Sequence, residues 1–160
     1  MKKFGLFLKE NKLFTFLCIL VLILIAVAML APWISPNDPF KSNMANSLQG
    51  RSSKFPLGTD NLGRCVFSRL LYGGQNSLKM TFSLVILVFV IGTAVGTTAG
   101  YLGGVIDNII MRFSDIFLAF PGIIFAIAIA GVLGPSSTNT VIALIVVNWV
   151  KYARVSRSLV

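Results

Sequence analysis

The chain has 160 residues, of which 56% are hydrophobic and 12% are charged, and its net charge is +9. Soluble domains carry about a quarter charged residues, so this composition indicates a protein whose solvent is lipid. Nucleic-acid binding is disfavoured, because apolar segments as long as these could not stay soluble beside such a site. There is no histidine, and the two cysteines, Cys18 and Cys65, indicate neither a metal site nor a disulfide framework.

The first apolar segment, residues 13–34, predicts a transmembrane helix. It contains no charged side chain, and a helix of this length is about 33 Å long, enough to cross roughly 30 Å of hydrocarbon. A cleaved signal peptide is the alternative, because lysines precede the segment and residues 26–28 read A-x-A. The apolar run continues past that point, which favours an uncleaved span. The lysines before it predict that residues 1–12 form a cytoplasmic tail.

The next segment, residues 35–79, is polar and rich in Pro, Gly, Asn and Ser. It predicts an extracytoplasmic loop that contains a short helix, because Val66, Leu70 and Leu71 have helical spacing. Gly73 and Gly74 are expected to interrupt that helix.

A second uncharged segment predicts a transmembrane helix over about residues 80–100. Gly92, Gly96 and Gly100 recur every four residues, which places them on one helix face. In lipid, a face of small residues lets another helix backbone approach closely. These glycines therefore predict a helix-packing surface, although glycine is also common in membrane helices for other reasons.

Residues 101–120 predict an amphipathic helix at the membrane interface or entering a protein-lined space. Isoleucine and phenylalanine share one side of the helical wheel, while Asp107, Arg112 and Asp115 share the other. Arg112 and Asp115 are three residues apart and are expected to pair. A solvated face without a specific role is the alternative.

The last uncharged segment, residues 116–150, is too long for one span, because a helix of that length is about 52 Å long. Gly134-Pro135 is a turn signal that predicts two spans, at about 116–133 and 140–155. Pro121 is expected to kink the first of them or to mark its first turn. The chain is thus predicted to be an all-α membrane protein with about four transmembrane helices.

Several strings in this order resemble the permease family of dipeptide, oligopeptide and nickel ABC importers. They are PLGTDNLGR at 56–64, SRLLYG at 68–73, GYLGG at 100–104 and YAR at 152–154. The family pattern usually has an acidic residue where this chain has Cys65. The matching residues of the outer loop are Gly58, Thr59, Asp60, Gly63, Arg64, Ser68, Arg69, Tyr72 and Gly73. Those of the cytoplasmic turn and re-entry are Gly103, Gly104, Asp107, Arg112, Asp115 and Pro121.

The resemblance implies a type I importer permease of the bacterial inner membrane, with six helices in the family and about four in this apparently truncated chain. It implies a second permease subunit, two ATPase subunits that use ATP, and an extracytoplasmic solute-binding protein. The chain itself has no Walker A loop and is expected to bind no cofactor. Residues 149–160 look closer to the nickel branch than to the peptide branch. A membrane anchor or assembly subunit without a transport role is the alternative function.

Overall fold

The computed structural model describes residues 11–160, so most of the predicted cytoplasmic tail lies outside the described residues. The described part is all-α, with no β-strand beyond one isolated bridge between Thr59 and Cys65, which confirms the predicted fold class. The chain divides into two compact units, residues 1–78 and 79–160.

The first apolar segment forms α1, Lys12–Met29, followed by a short α2, Ala31–Ile34. Most of the apolar side chains of α1 are exposed, and Ala28 is the one it buries, as suits a helix surrounded by acyl chains. The predicted span over 13–34 is therefore one helix that ends at Met29 and a separate turn. Leu30 separates the two, and Pro32 lies in the first turn of α2, where a missing N–H costs nothing.

Residues 35–65, here called the outer segment after the side on which the sequence predicts them, have little regular structure apart from a 3-10 helix at Met44–Asn46. Backbone hydrogen bonds join its two halves, for example from the N–H of Asn43 to the carbonyl of Leu62 at 3.0 Å. The N–H of Thr59 donates to the carbonyl of Gln49, also at 3.0 Å. The segment is thus a folded polar structure rather than a loose connection.

The longest helix, α3, runs without a break over Val66–Leu102. The predicted short helix in the loop is therefore wrong, because Gly73 and Gly74 do not interrupt it. Glycine lowers helix propensity by about 1 kcal/mol but does not prevent a helix when packing favours one. At Gly74 a Cβ would lie 3.7 Å from the Cβ of Ala28, so the small residue lies at a packed position.

Three further helices follow: α4 at Gly104–Ala119, α5 at Gly122–Leu133 and α6 at Ser137–Ser158. The region of the predicted span at about 116–133 is divided between α4 and α5, which are bent by 90° at Phe120–Pro121. Proline has no N–H and disfavours a helical conformation at the preceding residue, so α4 ends there. Pro121 caps the start of α5, as expected for a proline that marks the first turn.

Within residues 11–160, two helices are long and apolar enough to cross a membrane, α1 and α3. The bent pair of α4 and α5 makes a third if it counts as one span. The predicted fourth span, about 140–155, lies inside α6, which is 22 residues long. α6 is more polar than α1 and α3, because it contains Asn139, Asn148 and Lys151. It is therefore not one of the helices whose composition is apolar enough to cross a membrane.

In the unit of residues 79–160, α3 and α6 run parallel, since Gly92 lies against Trp149 and Gly100 against Arg157. α5 runs antiparallel to α6, with Gly122 near Val147 at one end and the amide of Asn139 donating to the carbonyl of Leu133 at the other. α6 provides the core with a buried seam of residues spaced three or four apart. That seam is Ala143, Val147, Val150 and Ala153.

Candidate functional site

Asp60 organises the part of the outer segment that carries the motif. One carboxylate oxygen, Oδ1, accepts from the N–H groups of Leu62 and Arg64, both at 2.9 Å. The other, Oδ2, accepts from Arg64 Nε at 2.8 Å and from the guanidinium of Arg69. The hydrogen bonds from the Arg64 backbone and then from the two guanidinium groups outweigh desolvation and hold the pKa of this carboxyl well below its usual range.

Two of the motif glycines are required by the backbone. Gly63 has a φ of +69° and Gly58 a φ of +75°, a region that residues with a Cβ rarely adopt. A Cβ on Gly63 would lie 1.8 Å from the carbonyl oxygen of Asn43, and one on Gly58 would lie 2.5 Å from that of Gln49. Glycine therefore lets the two halves of the outer segment touch through their backbones.

Thr59 and Ser68 are buried hydroxyls in this cluster. The Thr59 hydroxyl accepts from the N–H of Gln49 at 2.8 Å and donates to the carbonyl of Asn46. Ser68 is fully buried, and its hydroxyl accepts from the N–H of Asn37 at 3.3 Å. Both side chains connect the motif to the preceding loop.

Cys65, for which the resemblance predicted an acidic residue in the family pattern, is 2% exposed. Burial raises the pKa of its thiol, but hydrogen bonds from Ser68, Asn37 and the backbone outweigh that effect and leave the pKa below its ordinary value. Cys65 lines a polar cavity of about 180 Å³ together with Lys41 and Lys54.

Of the other motif residues, Tyr72 makes an edge-to-face contact with Phe40 at a centroid distance of 6.2 Å, and Gly73 faces open space.

The three glycines of α3 lie against the backbone of α6. A Cβ on Gly96 would lie 2.2 Å from the carbonyl oxygen of Ala153, and one on Gly92 would lie 2.6 Å from that of Trp149. At Gly100 the nearest atom, the carbonyl oxygen of Arg157, would be 3.1 Å away. The helix that approaches this face therefore belongs to the same chain.

The turn between α3 and α4 is made by Gly103 and Gly104, with φ values of +60° and +55°. The acidic residues that follow it are paired across the helices: Asp107 with Arg157, and Asp115 with Arg154. The expected pair between Arg112 and Asp115 is wrong, because Asp115 turns towards α6. Arg112 is exposed and makes no ion pair within residues 11–160.

Aromatic rings fill the bend between α4 and α5. Phe117 contacts Phe113, Phe125 and Trp149 at centroid distances of 5.2, 5.7 and 5.9 Å. Phe120, at the bend itself, contacts Phe125 at 5.8 Å. The helical wheel placed Phe113, Phe117 and Phe120 on one side, but their meeting with Trp149 depends on the bend and was not predicted.

The structure thus separates the motif residues into two groups, one within each unit. Asp60, Arg64 and Arg69 are brought together, as are the glycines of α3 with α6. The pairing of Arg154 and Arg157 with acidic residues was missed. The sequence did contain a signal for this pairing. The chain has only five acidic residues, and two of them lie on the polar side of α4, where basic partners are expected.

Two family models match the chain. The first is described as the binding-protein-dependent transport system inner membrane component and matches residues 92–160. The second is described as the N-terminal TM domain of oligopeptide transport permease C and matches residues 4–50. The strings at 100–104 and 152–154 lie within the first match, whereas those at 56–64 and 68–73 lie between the two matches.

Individual relatives cover nearly the whole chain. It is 42% identical over 151 residues to the dipeptide transport system permease protein DppC of Alkalihalophilus pseudofirmus. This alignment covers 94% of this chain and 50% of that protein. It is 37% identical over 142 residues to the nickel transport system permease protein NikC of Escherichia coli, covering 89% of this chain and 51% of that protein. With the glutathione transport system permease protein GsiD of Pectobacterium atrosepticum, the identity is 41% over 140 residues, covering 86% of this chain and 46% of that protein.

The chain spans about half the length of the curated relatives it matches. Permeases named for dipeptide transport are matched at 35% and 42% identity and the nickel permease at 37%, so identity does not favour the nickel branch and the expected preference for it rests on residues 149–160 alone. None of these relatives is described as a membrane anchor. The chain belongs to the permease family of dipeptide, oligopeptide and nickel ABC importers.

Proposed function

We propose that this chain forms part of the transmembrane subunit of an ATP-driven importer that receives its solute from a binding protein. The observation that carries the proposal is similarity over 86–94% of the chain to permeases of three importers. The apolar exposed surfaces of α1 and α3 support a position in the membrane. In the proposed complex, a second permease subunit completes the pathway and two ATPase subunits bind and hydrolyse ATP.

The solute is proposed to be a short peptide or nickel, since relatives named for dipeptide, nickel and glutathione transport all match. The test is uptake by cells that produce the full-length permease with the ATPase and binding-protein subunits encoded beside it. We expect ATP-dependent accumulation of a radiolabelled dipeptide or of radioactive nickel, and none in cells that lack the permease. A complex that is present in the membrane but accumulates neither solute, nor glutathione, would contradict the proposal.

The proposed orientation places the N-terminus in the cytoplasm and the outer segment outside. Lysines before α1 support it, because basic residues close to a first span are retained on the cytoplasmic side.

We propose that the outer segment contacts the binding protein through basic side chains. The charge of Asp60 is compensated by Arg64 and Arg69, which leaves a local excess of positive charge. That excess comes from the exposed residues Lys41, Arg51 and Lys54, which outnumber the other acidic residue of the segment, Asp38. Such a surface fits an acidic patch on the partner, because complementary charges raise the association rate.

The test is a charge reversal at two of these positions, Lys41→Glu with Lys54→Glu. We expect the concentration of binding protein needed for half-maximal uptake to rise about tenfold, and the difference to shrink at high salt. Lys151→Glu is the matched control, because this exposed lysine lies on α6, towards the predicted cytoplasmic end. Equal dependence on binding protein in both variants would contradict this docking surface.

A further inference from the structure

Two ion pairs join α4 to the last turns of α6. Asp107, in the first turn of α4, pairs with Arg157, and Asp115, near the end of α4, pairs with Arg154. One helix supplies both carboxylates and the other both guanidinium groups. The contact between α4 and α6 therefore contains two charged pairs, beside the ring contact of Phe117 with Trp149.

The two pairs differ in their exposure to solvent. The Asp107 side chain is 13% exposed, whereas that of Asp115 is 62% exposed. Asp107 Oδ1 is buried and has no hydrogen-bond partner among the described residues. A carboxylate in such a position depends on its charged partner, because a buried charge that loses its pair is strongly destabilising. An exposed pair such as Asp115–Arg154 contributes much less.

Part of the apolar surface of α4 is exposed, since Ile106, Ile109 and Phe113 are between 45% and 62% exposed. Its half-buried apolar side chains are Ile110, Met111 and Phe117, and Phe117 contacts Trp149 of α6. Ser114 is fully buried, and its hydroxyl donates to the carbonyl of Ile110 within α4 at 2.9 Å. The two ion pairs therefore add charged contacts between α4 and α6 to this aromatic contact.

We propose that Asp107 and Asp115 are positioning residues: with Arg157 and Arg154 they form a clamp that fixes α4 against the last turns of α6 during transport. The Asp107–Arg157 pair contributes most of its effect. The clamp keeps the end of α6 in one orientation, so its loss impairs transport although neither aspartate contacts solute. The transport part of this inference rests on the proposed function.

The test is a charge exchange in the full-length permease within its complete transporter. Asp107→Arg alone and Arg157→Asp alone each place like charges together, and we expect each to reduce uptake at least about tenfold. The double variant, Asp107→Arg with Arg157→Asp, restores opposite charges and is expected to regain uptake to within about threefold of the original. The same exchange at Asp115 and Arg154 is expected to change uptake by about threefold or less.

Lys151→Asp is the matched control, because this exposed residue of α6 makes no ion pair within residues 11–160. It is expected to keep normal uptake. Basal ATP hydrolysis and its stimulation by the binding protein are measured on the same complexes. A positioning role predicts that single reversals lose the stimulation and keep the basal rate, whereas a collapsed complex loses both. Single reversals with normal uptake, or an exchange no better than the worse single variant, would overturn the clamp.

The melting temperature of the purified complex separates the clamp from the proposed function. If the original complex transports no solute tested, the importer proposal fails and the clamp is judged on melting alone. The clamp is then supported if each single reversal lowers the melting temperature and the double variant restores it. Equal melting of all four proteins then overturns it.

Discussion

The outer segment and the helical unit of residues 79–160 are held together by opposite means. In the outer segment, one carboxylate gathers two arginines and two backbone N–H groups, and polar contacts carry the structure. In the helical unit, glycines and alanines let α3 and α6 touch through their backbones. The difference follows the solvent, because apolar side chains gain nothing by leaving lipid, and close packing of small residues takes the place of the hydrophobic effect.

The largest effect is expected from Gly96→Leu, which attacks the small-residue contact. A Cβ at this position already lies 2.2 Å from the Ala153 carbonyl oxygen, and that oxygen belongs to a helix backbone that cannot move alone. The cost is expected to exceed about 3 kcal/mol, the upper end for overpacked cores. We expect Gly96→Leu to lose the monodisperse peak that the original protein gives in size-exclusion chromatography in detergent.

Gly131→Leu is the control, because this glycine of α5 has open space where the Cβ would be. It should leave the chromatographic profile unchanged. Equal profiles for Gly96→Leu and Gly131→Leu would mean that contact between backbones does not hold the helical unit.

Gly63→Ala attacks the outer segment and is expected to have the second largest effect. The new Cβ would meet the Asn43 carbonyl oxygen at 1.8 Å, on a backbone with positive φ. We expect a loss of about 2–3 kcal/mol, measured as a lower melting temperature. Gly50→Ala, in the same segment but with open space, is the control, and a similar loss there would contradict the steric explanation.

Asp60→Asn is expected to have a smaller effect that depends on pH. Because the pKa of Asp60 is lowered in the folded state, its carboxylate stabilises the segment above the unfolded pKa, near 4, and loses that contribution as the pH falls towards the folded pKa. The melting temperature of the original protein should therefore fall more steeply below about pH 4 than that of Asp60→Asn.

Asp38→Asn is the control for this pH dependence, since Asp38 is exposed and its carboxylate accepts from the N–H of Phe40 at 2.8 Å, with no arginine partner among the described residues. It should keep the acid slope of the original protein. An unchanged slope in Asp60→Asn would show that this carboxylate does not organise the outer segment.

The smallest effect is a labelling difference that tests the orientation. Arg51→Cys places a thiol on an exposed site of the outer segment, whereas Cys65 is buried. We expect a membrane-impermeant maleimide to label Arg51→Cys in intact cells and to leave Cys65 nearly unlabelled until the protein is denatured. Labelling of Arg51→Cys only after the cells are permeabilised would reverse the proposed orientation.

The sequence predicted features that depend on local pattern. The apolar segments, the bend near Pro121 and the packing face of Gly92, Gly96 and Gly100 follow from composition and helical spacing. The identity of the neighbouring helix did not follow, because spacing on one helix says nothing about its partner. The uninterrupted α3 was also missed, since glycine propensity is overridden by tertiary contacts such as Gly74 with Ala28.

Long-range contacts account for the remaining differences. Arg112 was expected to pair with Asp115 because the two are neighbours on one helix, yet Arg154 lies 39 residues away along the chain and takes that place. Asp60 was recognised only as part of a string, and its role as the centre of the outer segment depends on Arg69 reaching back from α3. A pattern along one helix cannot contain such information.

The bend at Phe120–Pro121 has a mechanical consequence. Pro121 has no N–H, and the helical hydrogen bonds of α4 end before it while those of α5 begin with Phe125 donating to the Pro121 carbonyl at 3.1 Å. Changing the angle between the two helices therefore breaks no helical hydrogen bond, whereas bending either helix elsewhere would. The angle at this joint is therefore fixed by side-chain packing, through the contacts of Phe117 and Phe120 with Phe125, and not by helical hydrogen bonds.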